Sequence, residues 1–345
     1  MLNTNQSVLV AGGGGFIGGH LVADLLKRGF TKVKCVDVKP MDKWYQVHKA
    51  ADNAVADLNL LDACKQSVKG TDVVINLACN MGGMGFIENN KGLCMISVLI
   101  NTHLLMAARE LGNQRYFYAS SACVYNGDKQ KDKSTTLFLK ESDAYPALPE
   151  DGYGWEKLFS ERMCRHFRED YKTNTRIARF HNVYGPVGTF EGGREKAPAA
   201  MCRKVIEAKL TGNHEIEIWG DGNQTRSFMY IDDCLKGIYK ITESDTFVDP
   251  INLGSSEGVT INQLADVVEQ IAGIKVKRRY NLDAPKGVNG RNSDNTLIKQ
   301  VFGWEPDTKL RAGMEKTYKW IYDQMAPRYA GGSAKKPAMA LAGAH

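Results

Sequence analysis

The chain alternates short apolar runs with longer stretches in which apolar residues recur at helical spacing. Short apolar runs bounded by turn residues are typical of buried strands, and the longer periodicity is typical of helices. A regular alternation of the two predicts a doubly wound parallel sheet and therefore an α/β fold. The predicted strands are Ser7–Ala11, Val33–Val38, Asp72–Ala78, Arg115–Ser120 and Thr175–Phe180.

The alternation breaks after Gly185, where a loop-rich segment begins. We predict a large sheet domain over residues 1–185, to which a segment at about 225–250 returns. Residues 186–224 and 251–326 are predicted to form a smaller C-terminal α/β domain that holds the substrate. Residues 327–345 are rich in Gly, Ala, Lys and Pro without a period, which predicts a flexible tail.

The composition argues against several classes of protein. Apolar residues make up 43% and charged residues 24% of the chain, and the net charge of +6 is too scattered for a nucleic-acid footprint. Eight cysteines without CxxC spacing argue against zinc and against a disulfide framework, so we expect reduced thiols and no metal. The N-terminus has no apolar signal segment, and no run approaches the roughly 18 apolar residues of a membrane span. We therefore expect a cytoplasmic protein without a membrane partner.

A glycine loop follows the first predicted strand and opens a helix. The stretch "AGGGGFIGGH" places Gly12, Gly15 and Gly18 as G-x-x-G-x-x-G. Glycines permit the tight turn and let backbone N–H groups approach a pyrophosphate, which the positive end of a helix favours. This arrangement predicts a Rossmann-type dinucleotide site, with Phe16 and Ile17 of the helix start lining it.

Two acidic residues after the loop bear on the identity of the dinucleotide. Asp37 ends the second strand 19 residues after Gly18, where a carboxylate bonds the adenosine ribose hydroxyls and repels a 2′-phosphate. NAD is therefore preferred, although Lys39 leaves NADP open. Asp57 either lies near the adenine or caps the next helix, since acidic residues do both.

The spacing of Tyr153 and Lys157 places both side chains on one face of a helix predicted over about Tyr153–Tyr171. A nearby ammonium and a positive nicotinamide ring both favour a phenolate. We therefore expect the pKa of Tyr153 to fall towards neutrality, so that this residue acts as a base. Ser121 ends the preceding predicted strand, which points at the nicotinamide.

The segments "AGGGGFIG", "DVVINLA", "SSACVY", "YGWEK" and "RFHNVYGP" together resemble the extended short-chain dehydrogenases/reductases that act on nucleotide sugars. The similarity runs from about residue 7 to residue 325. It implies that Ser121, Tyr153 and Lys157 form the hydride-transfer triad, with Lys157 also bonding the nicotinamide ribose of NAD. Asn101, within a long helix, either supports this array or is a packing residue.

Four stretches resemble the GDP-mannose 3,5-epimerase family in particular: "NMGGMGF", "SSACVY", "GGREKAPAAMCRK" and "GRNSDN". The resemblance implies that Cys123 and Lys196 are the acid/base pair that converts GDP-D-mannose to GDP-L-galactose and GDP-L-gulose. A thiol and an ammonium suit this work because burial and nearby charge can bring their pKa values near neutrality. Outside that context, a free cysteine is usually a small buried core residue.

The same resemblance implies the residues that hold the GDP-sugar. Arg226 and Arg291 match positions near the diphosphate, which guanidinium groups suit well. Gly82 would let the backbone approach the sugar without a side chain in the way. His181, flanked by an apolar strand, is predicted to be structural rather than catalytic. The other implied substrate contacts are Ser121, Cys123, Asn182, Glu195, Lys196, Ala197, Lys204 and Gln224.

Other functions stay open at this point. An epimerase of another GDP-sugar, such as a GDP-heptose, fits the same motifs. A nucleotide-sugar 4,6-dehydratase normally has an Asp–Glu pair where this chain has Ala122 and Cys123, and a simple 4-epimerase needs neither Cys123 nor Lys196. An NAD-sensing binding protein would lack the reactive Tyr and Lys. The family also implies a homodimer, packed through helices at Met95–Glu110 and Glu156–Asp170.

Overall fold

The structure is a computed structural model that describes residues 2–131, 137–285 and 287–330. In chain order the strands are β1 Val8–Ala11, β2 Val33–Asp37, β3 Asp52–Val55, β4 Val73–Asn76, β5 Arg115–Ser121, β6 Phe138–Leu139, β7 Thr175–Phe180, β8 Asn182–Tyr184, β9 Glu215–Trp219, β10 Thr225–Tyr230, β11 Ile251–Leu253, β12 Gly258–Thr260, β13 Lys277–Asn281 and β14 Gly290–Ser293. The helices are α1 Phe16–Lys27, α2 Leu61–Val68, α3 Met84–Asn89, α4 Lys91–Ile96, α5 Val98–Leu111, α6 Asp151–Tyr171, α7 Ala197–Thr211, α8 Ile231–Glu243, α9 Ile261–Ala272, α10 Thr296–Phe302 and α11 Leu310–Ala330.

The predicted α/β fold is confirmed by a seven-stranded parallel sheet in the order β11-β7-β5-β4-β1-β2-β3. All five predicted strands lie in this sheet. The structure adds β3 and β11 at its two edges. Because β3 is a largely exposed "DNAV" and β11 has only three residues, neither has the long apolar run that predicts a buried strand.

A second, smaller sheet changes the boundaries of the predicted domains. It runs β12-β10-β14-β6 with β8 paired to β10, and β13 pairs separately with β9. Both β6 and β8 come from the segment assigned to the large domain, and β10 comes from the predicted return segment. Of the return segment, only α8 packs on the large sheet. Strand β11 forms the edge of that sheet although residues 251–326 were predicted to belong to the smaller domain. The chain switches sheets at His181, between β7 and β8, and strands of two or three residues are too short to show a periodicity.

Helix α11 extends to Ala330, so residues 327–330 are helical and do not belong to a tail. Tyr329 packs against the main hydrophobic core, which accounts for the additional turn of helix. The rest of the predicted tail, residues 331–345, lies outside the described residues.

Helices α4 and α5 form an apolar segment that the sequence reasoning underestimated. Residues Lys91–Leu111 are long and apolar enough, by length and composition alone, to cross a membrane. A half-buried core helix passes the same test, and Leu104 of α5 is fully buried against the sheet. The outer side of α5 is apolar and exposed, and so is one side of the neighbouring α6. Leu99 of α5 is 40% exposed, and Trp155 and Phe159 of α6 are 45% and 56% exposed.

Candidate active site

Two adjoining cavities lie at the carboxyl ends of the central strands, where doubly wound sheets bind ligands. The larger one, about 580 Å³, follows the glycine loop and is called the cofactor cavity. The smaller one, about 320 Å³, is lined by residues of both sheets and is called the substrate cavity. The two linings share Met81, Ser121, Tyr153, Phe180 and Lys196. These residues mark the junction at which two ligands would meet.

The glycine loop at the cofactor cavity has no room for side chains. Gly12 has a φ of +81°, and a Cβ there would lie 2.9 Å from the backbone nitrogen of Ala78. A Cβ at Gly18 would lie 2.2 Å from the carbonyl oxygen of Gly12, so α1 packs this closely only with glycine. Gly15 is the N-cap of α1, whose first turn lines the cavity. This cradle fits a pyrophosphate at a helix N-terminus.

Asp37 and Asp57 both line the cofactor cavity. The Asp37 carboxylate accepts the backbone N–H of Lys39 at 3.0 Å, and the Lys39 ammonium donates to the Gly14 carbonyl at 2.9 Å. This second hydrogen bond occupies the Lys39 ammonium, whose charge was the reason for keeping NADP as an alternative. The N-cap of α2 is Leu60, so the helix-cap alternative for Asp57 is wrong. A glycine cradle with a buried carboxylate after the second strand fits NAD, and every predicted cofactor residue from Gly12 to Lys157 lines this cavity.

Ser121, Tyr153 and Lys157 converge at the junction of the cavities. The Ser121 hydroxyl ends β5 and accepts the backbone N–H of Cys123 at 3.2 Å, which starts the short 3₁₀ turn that follows. The Lys157 ammonium donates to the Ala119 carbonyl at 3.1 Å and lies 5.6 Å from the centre of the Tyr153 ring. The predicted triad is therefore assembled by the end of one strand and the first two turns of α6.

The electrostatics of the triad bear on the expected pKa of Tyr153. Burial alone would lower the pKa of Lys157, but Cys79 and Glu156 outweigh it and raise the pKa, so the ammonium stays charged. In the chain itself, burial raises the pKa of Tyr153 well above its usual value, and a hydrogen bond with Ser121 opposes this in part. The expected fall towards neutrality also rests on the positive charge of an oxidised nicotinamide ring, and it stays a prediction.

Asn101 is placed as a packing residue rather than beside the triad. Its side-chain oxygen accepts hydrogen bonds from the Tyr116 hydroxyl at 2.8 Å and from Asn76 at 3.3 Å. Its amide nitrogen lies 3.9 Å from the sulfur of Cys164. These buried partners satisfy the side-chain amide of Asn101 where α5, the sheet and α6 meet. Of the two roles that the sequence left open for Asn101, the structure supports packing.

The substrate cavity brings together all the residues predicted to contact the GDP-sugar. They are Gly82, Ser121, Cys123, Asn182, Glu195, Lys196, Ala197, Lys204, Gln224, Arg226 and Arg291. Cys123 lies in the turn after β5 and Lys196 at the N-cap of α7. Burial raises the pKa of the Cys123 thiol, partly opposed by Arg291, and burial lowers the pKa of Lys196. The shift of the Lys196 pKa is in the expected direction, towards neutrality, which suits a group that moves protons. The shift of the Cys123 pKa is in the opposite direction, because burial outweighs the nearby cations.

The two arginines predicted near the diphosphate are paired in register on β10 and β14. Arg226 donates to the carbonyl oxygens of Thr225 and Val288 at 2.8 and 2.7 Å. Burial and the nearby Arg291 lower the pKa of Arg226 to about 10, which leaves it charged at neutral pH. Arg291 forms a buried ion pair with Glu150 at 2.6 Å. Sequence reasoning missed Glu150, because an acidic residue before a helix carries no motif.

Trp219 is a further residue of the substrate cavity that no motif predicts. It ends β9, and its ring is 42% exposed. The Lys204 ammonium lies 6.0 Å from the ring centre and donates to the Glu217 carbonyl at 2.6 Å, and Gln224 donates to the Trp219 carbonyl at 2.9 Å. An exposed aromatic ring in a cavity offers a stacking surface for a base. In the sequence, the feature that could have indicated Trp219 is a large aromatic residue at the end of the alternating stretch "EIEIW".

His181 lines the substrate cavity from the point where the chain changes sheets. Its Nε2 lies 3.1 Å from the side-chain oxygen of Asn252, and its Nδ1 has no partner among the described residues. Burial lowers the pKa of His181 to about 4, so the ring is uncharged at neutral pH. The placement fits the predicted structural role, with one ring nitrogen satisfied.

The buried neutral ring of His181 predicts a loss of stability in acid. Because its folded-state pKa is lowered, this residue contributes stability above the unfolded pKa of 6.5, and that contribution is lost as the pH falls towards about 4. We expect about 2 kcal/mol of this loss by about pH 5. Urea unfolding of the parent and of His181→Gln at that pH and at neutral pH measures it. An equal pH dependence in both proteins would contradict the prediction.

Comparison with known proteins agrees with this geometry. Residues 8–254 match the NAD dependent epimerase/dehydratase family. GDP-mannose 3,5-epimerase of Arabidopsis thaliana is 43% identical over 95% of this chain and 85% of that protein, and GDP-mannose 3,5-epimerase 1 of Oryza sativa subsp. japonica is 44% identical over 92% of this chain and 82% of that protein. The UDP-glucose 4-epimerase of Thermotoga maritima shares the fold, with a TM-score of 0.80 at 22% identity over 92% of this chain and 99% of its own. The chain therefore belongs to the NAD dependent epimerase/dehydratase family and, within it, to the GDP-mannose 3,5-epimerases.

Proposed function

We propose that this protein is a GDP-mannose 3,5-epimerase that converts GDP-D-mannose to GDP-L-galactose and GDP-L-gulose. The observation that carries the proposal is the placement of Cys123 and Lys196 on the walls of one cavity, which adjoins the cofactor cavity at Tyr153. The plant GDP-mannose 3,5-epimerases, 43% and 44% identical over most of the chain, support this substrate.

Inversion of a sugar carbon needs an acidic C–H bond and two groups that move protons. A C–H bond at C5 or C3 becomes acidic when C4 is a ketone, because the adjacent carbonyl delocalises the charge that is left behind. When bound, NAD supplies a hydride acceptor and donor for C4. One protein group then removes the proton from one face of the ring, and the other returns a proton to the opposite face. Cys123 and Lys196 provide these two groups.

The other residues of the junction hold the reacting sugar. Ser121 and Tyr153 line both cavities, so they bind the C4 hydroxyl, and Tyr153 takes or returns its proton. Lys157 stays charged beside the Tyr153 ring and favours the phenolate. Arg226 offers charge to the diphosphate, and the ring of Trp219 offers a stacking surface to the guanine.

A product assay distinguishes this function from its rivals. Purified protein loaded with NAD is incubated with GDP-D-mannose, and the nucleotide sugars are separated by chromatography. We expect GDP-L-galactose and GDP-L-gulose to appear without net formation of NADH, while UDP-glucose, the control, stays unchanged. A 4-keto-6-deoxy product would indicate a dehydratase instead, and an unchanged GDP-mannose would contradict the proposed substrate.

We also propose that two copies of the chain pair through the exposed apolar faces of α4, α5 and α6. Leu99, Trp155 and Phe159 lie on this surface, and an apolar patch of this kind on a folded protein marks an interaction site. The exposed Arg165–Glu169 ion pair on α6 favours a protein partner with a polar rim over a lipid surface. This arrangement also supports a cytoplasmic protein that does not bind membranes.

Light scattering after gel filtration tests the proposed homodimer. We expect a dimer for the parent and a monomer for Phe159→Glu, because the substitution buries a charge at the interface. Leu60→Glu is the matched control, since Leu60 is 60% exposed at the start of α2. A monomeric parent would contradict the homodimer.

A further inference from the structure

The guanidinium of Arg291 is held by three side chains, of which Gln130 and Cys123 are buried and Glu150 is partly buried. Its Nε donates to the side-chain oxygen of Gln130 at 2.8 Å, and its Nη1 donates to the Cys123 sulfur at 3.2 Å. Its Nη2 donates to the Glu150 carboxylate at 2.6 Å, with the two side chains only 7% and 14% exposed. All three nitrogens thus have a partner within the chain.

This arrangement puts a carboxylate and a thiol on one cation. A cation beside a thiol favours the thiolate, and a carboxylate on the same cation offsets that effect. The backbone N–H of Glu150 also donates to the Cys123 carbonyl at 3.1 Å, which fixes the start of α6 against the turn that carries the thiol. Gln130 is fully buried and donates to the carbonyl oxygens of Tyr125 and Asn126, so the Arg291 side chain is held in place from a third direction.

We propose that Glu150 is a positioning residue for Cys123, and that through Arg291 it limits how much of the thiol is ionised. The inference rests on the proposed epimerase function in one respect only: that function explains why the ionised fraction of the Cys123 thiol matters. A thiol that must both give and take protons in one catalytic cycle needs to be recovered as thiol, and the Arg291 guanidinium next to the sulfur favours the thiolate over the thiol. Glu150 restores the balance without touching the substrate itself.

The charges around Cys123 agree with this direction. Burial raises the pKa of Cys123, Arg291 lowers it, Glu150 raises it, and Lys196 lowers it. Burial alone would raise the pKa of Glu150, but Arg291 outweighs it and lowers the pKa, so Glu150 is charged. The titratable and charged groups that face Cys123 are Arg291 on β14, Arg226 on β10, Glu150 and Tyr153 at the start of α6, Lys196 before α7 and Cys94 on α4.

The pH dependence of alkylation at Cys123 tests the proposal. NAD-loaded protein is treated with iodoacetamide over a range of pH, and the rate at Cys123 is read by mass spectrometry of its peptide. Glu150→Gln keeps the shape and a hydrogen bond to Arg291 but removes the charge. We expect its alkylation midpoint to fall by about one pH unit, which corresponds to about tenfold faster alkylation below the midpoint.

Asp151→Asn is the matched control. Asp151 is the next residue, pairs with Lys91 at 3.0 Å, and has a φ of 46°, which asparagine tolerates. Its removal should leave the midpoint unchanged. A Glu150→Gln midpoint equal to or above that of the parent, with the fold intact by circular dichroism, would overturn the proposal.

A second variant covers the case in which Glu150→Gln does not fold. Glu150→Gln/Arg291→Met removes both charges of the ion pair, and we expect its midpoint to lie above that of the parent, because the cation next to the sulfur is gone. An unchanged midpoint would show that neither charge acts on the thiol. Alkylation does not depend on turnover, so a shifted midpoint with no conversion of GDP-mannose would refute the proposed substrate and leave the role of Glu150 standing.

Discussion

Cys123→Ala is expected to stop the inversion of C5 and C3 of the sugar while the fold and the NAD site stay intact. The thiol is one of two proton-transferring groups proposed for the substrate cavity, and neither inversion can be completed by one group alone. General acid–base groups contribute about 10²–10⁴-fold to rate, so we expect product formation to slow by at least about 10²-fold. The rate at which GDP-L-galactose and GDP-L-gulose appear, followed by NMR, measures it.

Cys202→Ala is the matched control for this loss. Cys202 is a fully buried thiol on α7 that lies outside the lining of both cavities. Its truncation leaves a small void that costs about 1 kcal/mol of stability and should not affect product formation. Product formation at the parent rate in Cys123→Ala would mean that Cys123 is a small core residue after all.

Tyr153→Phe is expected to remove the activity at an earlier stage. The substitution keeps the ring, and with it the wall between the cavities, but removes the hydroxyl that is proposed to take the proton from the C4 hydroxyl. We expect the overall rate to fall by at least about 10³-fold. On mixing with GDP-mannose, Cys123→Ala should still form some NADH, whereas Tyr153→Phe should form none. Absorbance of the reduced nicotinamide measures this difference.

Tyr116→Phe controls for the loss of a buried phenol. Tyr116 is buried like Tyr153, but it lines neither cavity. Its hydroxyl donates to Asn101 at 2.8 Å and accepts from Asn76 at 3.1 Å. Its removal leaves these two buried amides with one partner fewer each, which costs about 1–3 kcal/mol of stability and leaves the rate unchanged. A Tyr153→Phe variant that forms NADH as fast as the parent would contradict the role assigned to this hydroxyl.

Much of the fold and the walls of the site could be predicted because their signals are local. A Cβ at Gly15 or at Gly18 would meet the Gly12 carbonyl oxygen of the same loop, and Gly12 itself has a positive φ. The apolar runs of the five predicted strands report burial on both faces of the sheet. The residues implied by resemblance could be identified because they stand in long, unusual segments such as "GGREKAPAAMCRK", and they line the two cavities.

The remaining features depend on contacts between distant parts of the chain. Glu150 and Arg291 are 141 positions apart, so no spacing reveals their ion pair. The switch between sheets at His181 rests on strands of three residues, which show no period. The pKa of Tyr153 was predicted from charged neighbours, whereas the burial that raises this pKa is known only once the chain is folded.

Solvent exchange on GDP-D-mannose separates epimerisation at C5 and C3 from every other reaction considered above. NAD-loaded protein and substrate are incubated in deuterated water, and the sugar is followed by NMR and mass spectrometry. We expect deuterium at C5 and at C3 in GDP-L-galactose, deuterium at C5 in GDP-L-gulose, and no net NADH. Protein that holds NAD but leaves both positions of the sugar unlabelled would contradict this expectation.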